Sequence, residues 1–106
     1  MDTETAAARL EALGSAQRLA IYRALVRAGP EGISVGAIQK RLDIPASTLS
    51  HHLQRLEHVG LIARERRGTS LICRPNYGVM EGLLGFLADE CCADAHATTA
   101  ETATKA

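Results

Sequence analysis

The chain lacks most of what marks large, secreted or membrane-bound proteins. Aromatic residues make up only 3% of its 106 positions, and this length holds one small domain with a modest core rather than a two-domain enzyme with an enclosed cleft. It has no run of about 18 apolar residues that could span a bilayer. Its first residues, Met1-Asp2-Thr3-Glu4, carry no basic segment followed by an apolar stretch, so nothing there resembles a secretory signal and the cytoplasm is the expected compartment. Three cysteines, Cys73, Cys91 and Cys92, are an odd number with two of them adjacent, which is not a disulfide framework. A nucleophile with its base, a carboxylate pair and a phosphate-cradling loop are all missing, so an enzyme is not expected.

Net charge is also missing, with 12 Lys+Arg against 12 Asp+Glu, but the charges are sorted along the chain. Residues 34–74 hold seven bases and three acids, a net of +4, whereas residues 75–106 hold one base and five acids, a net of −4. A central basic block in a neutral protein suits a local phosphate-facing surface. A solvated charged face is the plainer alternative.

Residues 3–13 are alanine-rich with Leu10 and Leu13 on one face and read as a short helix ending at Gly14. Ser15 caps a second helix from Ala16 to about Ala28, with Leu19, Tyr22, Leu25 and Val26 at helical spacing and Gly29-Pro30 closing it. Ser34 caps a third, carrying Val35, Ile38 and Leu42, which Asp43-Ile44-Pro45 interrupts because proline disfavours helix before it. Pro45 opens a fourth helix to about Val59, and Gly60 supplies its left-handed stop. Leu61 to Arg66 and Thr69 to Arg74 alternate apolar with polar residues around an Arg67-Gly68 turn and read as a hairpin. Asn76 caps a last helix with Val79, Met80, Leu83, Leu84 and Leu87 on one face, running toward Cys91-Cys92. Residues 93–106 contain Ala, Thr and charge but no large apolar residue, so a disordered tail is expected after a single domain over 1–92. The order α-α-α-α-β-β-α, mainly α with a β-hairpin, is that of a winged helix-turn-helix.

On the fourth helix, Leu49, Leu53 and Leu56 lie within about 60° of each other on a wheel and face the core. The opposite side carries Ser47, Thr48, Ser50, His51, Gln54, Arg55 and His58, an outward surface of hydrogen-bonding groups without a carboxylate. Short hydroxyls near a helix start can meet phosphate, and Gln54 and Arg55 have the reach for base edges in the major groove. His52 falls beside the leucines as a boundary residue. Arg64, Arg66 and Arg67 cluster around the hairpin tip, where they would add affinity through phosphates or the minor groove. Arginine on an exposed hairpin can also serve only to block edge pairing.

The segment from Ile44 to Ile62, Ile-Pro-Ala-Ser-Thr-Leu-Ser-His-His-Leu-Gln-Arg-Leu-Glu-His-Val-Gly-Leu-Ile, resembles the reading helix of the ArsR/SmtB family of winged-helix metalloregulators. The resemblance extends from about Leu10 through Cys92 and includes Leu13-Gly14-Ser15-Ala16-Gln17-Arg18-Leu19 ahead of the second helix. It implies a homodimer that sits on double-stranded operator DNA, represses transcription and lets go when an inducer binds, with no obligatory cofactor and no membrane partner.

Members of that family sense metals at different places on one fold. The third helix here, Ser34 to Leu42, has no cysteine, so the arsenic motif of some relatives is absent. The last helix lacks the spaced Asp and His ligands of the zinc-sensing version, with only Asp89 and His96 loosely placed. What remains is Glu90-Cys91-Cys92, which resembles the C-terminal vicinal pair of some arsenic-responsive members. Adjacent thiolates suit a soft, thiophilic centre. Trivalent arsenic and antimony take up to three sulfurs, whereas methylarsenite needs two because carbon fills its third place. The third cysteine that some relatives carry downstream is missing here, which favours the methylated species over plain arsenite; antimonite stays an alternative inducer.

Cys73 ends an apolar strand and reads as a small core hydrophobe. A helix of roughly 20 Å separates it from its own chain's pair, leaving a contribution across a dimer, His96, or no third ligand at all. A redox or persulfide switch is the competing use of Cys91 and Cys92, although Asp89, Glu90 and Asp94 would raise the thiol pKa values and blunt oxidation. Gly78, Gly82 and Gly85 form a stripe opposite the leucines of the last helix, open to close approach by the first helix or a partner subunit, or simply exposed. A helical interaction module that binds no DNA is the reading furthest from these.

Overall fold

The computed structural model describes residues 1–95, and the elements follow the expected order with one addition. They are α1 (Thr3–Leu13), α2 (Ala16–Ala28), β1 (Ile33–Ser34), α3 (Val35–Leu42), α4 (Ala46–His58), β2 (Ile62–Arg67), β3 (Ser70–Pro75) and α5 (Tyr77–Ala88). Side-chain caps set four of the five helix starts. Asp2 accepts from the Thr5 amide at 2.7 Å, Ser15 from Arg18 at 3.3 Å, Ser34 from Ala37 at 3.1 Å and Asn76 from Val79 at 3.2 Å, each satisfying a donor that the helix leaves open. α4 has no side-chain cap and starts at Pro45, which has no amide hydrogen to satisfy. At its far end the Gly60 amide donates to Glu57 and the Leu61 amide to Leu56, with Gly60 at φ 82°, a Schellman closure that turns the chain into β2.

Between α3 and α4 the reversal is made by Asp43 in the left-handed region, φ 54°. This tight turn sets the two helices of the helix-turn-helix. The hairpin pairs Ile62 with Pro75 at one end and Arg67 with Ser70 at the other, so the turn residues are Gly68-Thr69, one later than expected, with Gly68 at φ 62°. A third strand joins it, because β1 pairs antiparallel with β3 through Ile33 and Cys73 and gives the sheet order β1-β3-β2. Gly32 makes that approach possible. A Cβ there would lie 2.7 Å from Ile72 Cγ2 and 2.8 Å from the Cys73 carbonyl oxygen.

The core gathers Ile21 and Leu25 of α2, Ile38 of α3, Leu49, Leu53 and Leu56 of α4, then Leu61, Ile62 and Cys73. All three leucines of α4 are fully buried, as their spacing predicts. Four other leucines of the expected apolar faces are not: Leu10 is 40% exposed, Leu19 42%, Leu84 59% and Leu87 57%. They form surface rather than core. No helix among the described residues is long and apolar enough to cross a membrane. Of the tail expected over 93–106, residues 93–95 form short turns; the rest, with His96, lies outside the described residues.

Candidate nucleic-acid interface and thiol pair

With its leucines buried, α4 turns the expected residues outward. Ser47, Ser50, His51, Gln54 and His58 are exposed, while Thr48 and Arg55 are half-buried. Arg55 is not idle. Its Nη2 donates to both carboxylate oxygens of Glu11 on α1, at 2.8 and 3.0 Å. α1 grips the same helix again where Arg9 Nε donates to the Val59 carbonyl at 2.8 Å. Glu11 was not visible as a site residue, because it contacts α4 across 44 positions of sequence and no local pattern announces it.

His52 is a boundary residue with a definite task. Its Nε2 lies 2.8 Å from Gln17 Oε1 and its Nδ1 3.4 Å from Arg18 Nη1, both on α2. Since arginine only donates, Nδ1 accepts and Nε2 carries the proton, which is the neutral ring. Its pKa is lowered, first by burial and then by the charges of Arg18, His51 and Arg55.

The hairpin divides its arginines differently from the expectation that all three cluster at the tip. Arg64 pairs with Cys73 in register, well back from the turn, and its Nη2 donates to Glu57 of α4 at 2.7 Å. It braces the hairpin against α4. Arg67 bonds Glu65 at 3.3 Å, and Arg74 bonds the same carboxylate. Arg66 is exposed and forms no ion pair among the described residues. The basic surface of the hairpin is therefore partly neutralised from within, and Arg66 is the one hairpin arginine without an ion pair among the described residues.

Cys91 and Cys92 are both exposed, with their sulfurs 3.6 Å apart. They do not end a helix, as the sequence suggests. α5 stops at Ala88, Asp89 is extended at φ −59° and ψ 141°, and Glu90 and Cys92 take positive φ of 59° and 63°, so the pair sits in consecutive turns. The cause lies in the sequence, since Asp89 and Glu90 place negative charge at the negative end of the helix with no base in its last turn. The Cys92 pKa is raised, chiefly through its hydrogen bond with Cys91 and by that neighbour's charge, rather than by the nearby acids. Cys73 is fully buried in the core and burial pushes its thiol up to about 11, as a core residue requires. Among the described residues no group of three or more His, Cys, Asp or Glu is placed to hold a metal ion.

A helix-turn-helix domain family matches residues 13–65, half of the chain and the segment that runs from the end of α1 into β2. The nodulation protein NolR of Rhizobium meliloti is 31% identical over 88 residues, 83% of this chain and 70% of that protein. The chain belongs to the ArsR-type winged helix-turn-helix transcriptional regulators. Two solved structures place its fold among ArsR-type proteins. A homodimeric winged helix-turn-helix DNA-binding domain of Mycobacterium bovis, described as a possible ArsR-family regulator, is 28% identical with a TM-score of 0.64, over 88% of this chain and 86% of that one. An ArsR-like regulator from Rhodococcus sp. RHA1 shares the fold alone, at 19% identity and a TM-score of 0.74, over 97% and 93% of the two chains. In this ArsR-type regulator, Cys91 and Cys92 fall outside the segment that the domain family matches. The family match therefore speaks to the helix-turn-helix and not to the thiol pair.

Proposed function

We propose that the chain is a homodimeric repressor that reads operator DNA with α4 and the hairpin and is released when trivalent arsenic or antimony binds Cys91 and Cys92. The observation that carries the sensing half is the pair of exposed sulfurs 3.6 Å apart, close enough for one thiophilic centre to bridge. Cys73 is withdrawn from the ligand set by its burial, and a two-sulfur site suits methylarsenite ahead of arsenite or antimonite. No resident cofactor is needed for the resting protein to hold DNA.

The reading half rests on Ser47, Thr48, Ser50, His51 and Gln54 of α4, which present donors and acceptors without a carboxylate among them, and on Arg66 and Arg67 of the hairpin. Arg55 joins them once it leaves Glu11. Arg64 acts from behind, by holding the hairpin to Glu57. The dimer is supported by the homodimeric M. bovis domain and by exposed Leu10 on α1 and Leu87 on α5, apolar surface that a second copy would cover.

Fluorescence anisotropy with DNA from upstream of the chain's own gene tests both halves. Methylarsenite, arsenite, antimonite and zinc are titrated under reducing conditions against wild type, Cys91→Ser and Cys92→Ser. Release of wild type alone by methylarsenite, with both variants still bound, is the expected result. Tight binding that no metalloid disturbs, but that oxidant or persulfide reverses, would transfer the thiol pair to redox sensing. Failure to bind any such DNA would remove the reading half.

A further inference from the structure

We propose that the groove between α2 and α5 binds a small amphipathic carboxylate, an alkyl or aryl acid, at a site separate from the thiol pair. The groove has a volume of about 360 Å³, within the range of sites that enclose small molecules. Leu13, Val26, Leu61, Met80 and Leu83 line it. Leu19 and Leu84, two of the apolar side chains that the fold leaves exposed, line it as well. A surface this apolar favours a hydrocarbon body.

Two further observations specify the head group. Arg23 and Arg27 lie one helical turn apart on α2 and both border the groove. Neither forms an ion pair among the described residues. The same two arginines line an adjoining cleft with Arg41 of α3, and no carboxylate lines either space. The rim is thus positively charged without a counter-ion of its own, where guanidinium groups favour a carboxylate. The second observation is Tyr22. This residue lines the groove, is only 5% exposed, and its hydroxyl is buried with no hydrogen-bond partner. A buried hydroxyl left alone is costly, and native proteins seldom leave one without a reason. Burial raises its pKa, so it stays protonated and offers a donor. An apolar acid supplies what each part lacks: carbon for the leucines, acceptor oxygens for Tyr22, and negative charge for the arginines.

Met80, Leu83 and Leu84 belong to α5, the helix that leads to Cys91 and Cys92, so an occupied groove sets the position of α5 against α2 independently of the thiols. The site does not depend on the metalloid reading. The test is a two-dimensional amide NMR titration of the full chain with octanoate and, separately, octan-1-ol. Saturable shifts at α2 and α5 residues around the groove are expected, with octanoate binding about tenfold tighter than the alcohol. The double variant Arg23→Gln/Arg27→Gln should erase that preference. Tyr22→Phe keeps the ring and the fold and should weaken octanoate several-fold, while Cys91→Ser/Cys92→Ser should bind as wild type does. Equal affinity for acid and alcohol, unsaturable shifts, or shifts that appear only as sedimentation shows a change in oligomeric state would overturn the proposal, the last by assigning the groove to a second copy.

Discussion

His52 shows how one side chain ties α4 to α2 and makes that tie sensitive to pH. Its ring is wedged between an acceptor, Gln17 Oε1, and a donor, Arg18 Nη1. Only the neutral ring suits both, since protonating Nδ1 would aim a second positive donor at a guanidinium. The folded pKa lies below the usual 6.5, with burial as the first cause. The unfolded chain therefore binds a proton more readily than the native one at mildly acid pH. The sign follows: this contribution to stability is complete above pH 6.5 and declines as the pH falls through the lowered folded pKa. Urea midpoints measured at steps between about pH 7 and pH 5 should fall in wild type and fall less in His52→Gln. Parallel slopes for the two proteins would show that the ring carries no such coupling. The position of His52 beside the leucines was legible in helical periodicity, but its partners were not, because Gln17 and Arg18 lie over 30 residues away.

At the scale of elements, helix starts were legible because single residues decide them: Ser15, Ser34 and Asn76 each spend their side chain on an open amide. β1 was not, since two residues cannot show an alternation, and it exists only because Gly32 lets it lie against β3. The end of α5 was missed for a related reason, as no glycine or proline marks it and the stop comes from two acids in the wrong place on the helix dipole. The grip of α1 on α4 belongs to the same class of long-range contact. Glu11 occupies Arg55 much as a phosphate would, though an exposed pair of this kind adds less than about 1 kcal/mol to stability. Glu11→Gln should thus leave the melting temperature nearly unchanged but tighten DNA binding several-fold and steepen its salt dependence by about one unit. Unchanged affinity and slope would mean that Arg55 stays a brace between helices. The glycine stripe yields to a similar test. A Cβ on Gly82 would stand 3.4 Å from Met1 Cε, whereas one on Gly85 meets nothing within 4 Å. Gly85→Ala should stabilise the chain by about 1 kcal/mol through helix propensity alone. A lowered thermal midpoint with weakened self-association would instead put the stripe against a partner subunit.

Across the whole molecule, basic and acidic segments are kept apart. The basic segment of the sequence folds into α3, α4 and the hairpin, and the acidic one follows β3 through α5 and beyond. Apolar side chains that a core would claim stand instead on the surface of α1 and α5, with Leu10 40% and Leu87 57% exposed. From sequence these leucines are indistinguishable from core residues, because helical spacing reports which side is apolar and not what covers it. If a second copy covers them, two reading helices are fixed at one separation, and operator affinity becomes a property of the pair rather than of either helix. Leu87→Glu isolates that dependence, since Leu87 is exposed and does not line the α2–α5 groove. The substitution places a charge on exposed surface, so the folded protomer should survive with its circular dichroism intact. Sedimentation should then show monomers at micromolar concentration, and operator affinity should fall at least about tenfold while weak binding to a single half-site persists. A variant that remains dimeric with full affinity would move the interface off α5.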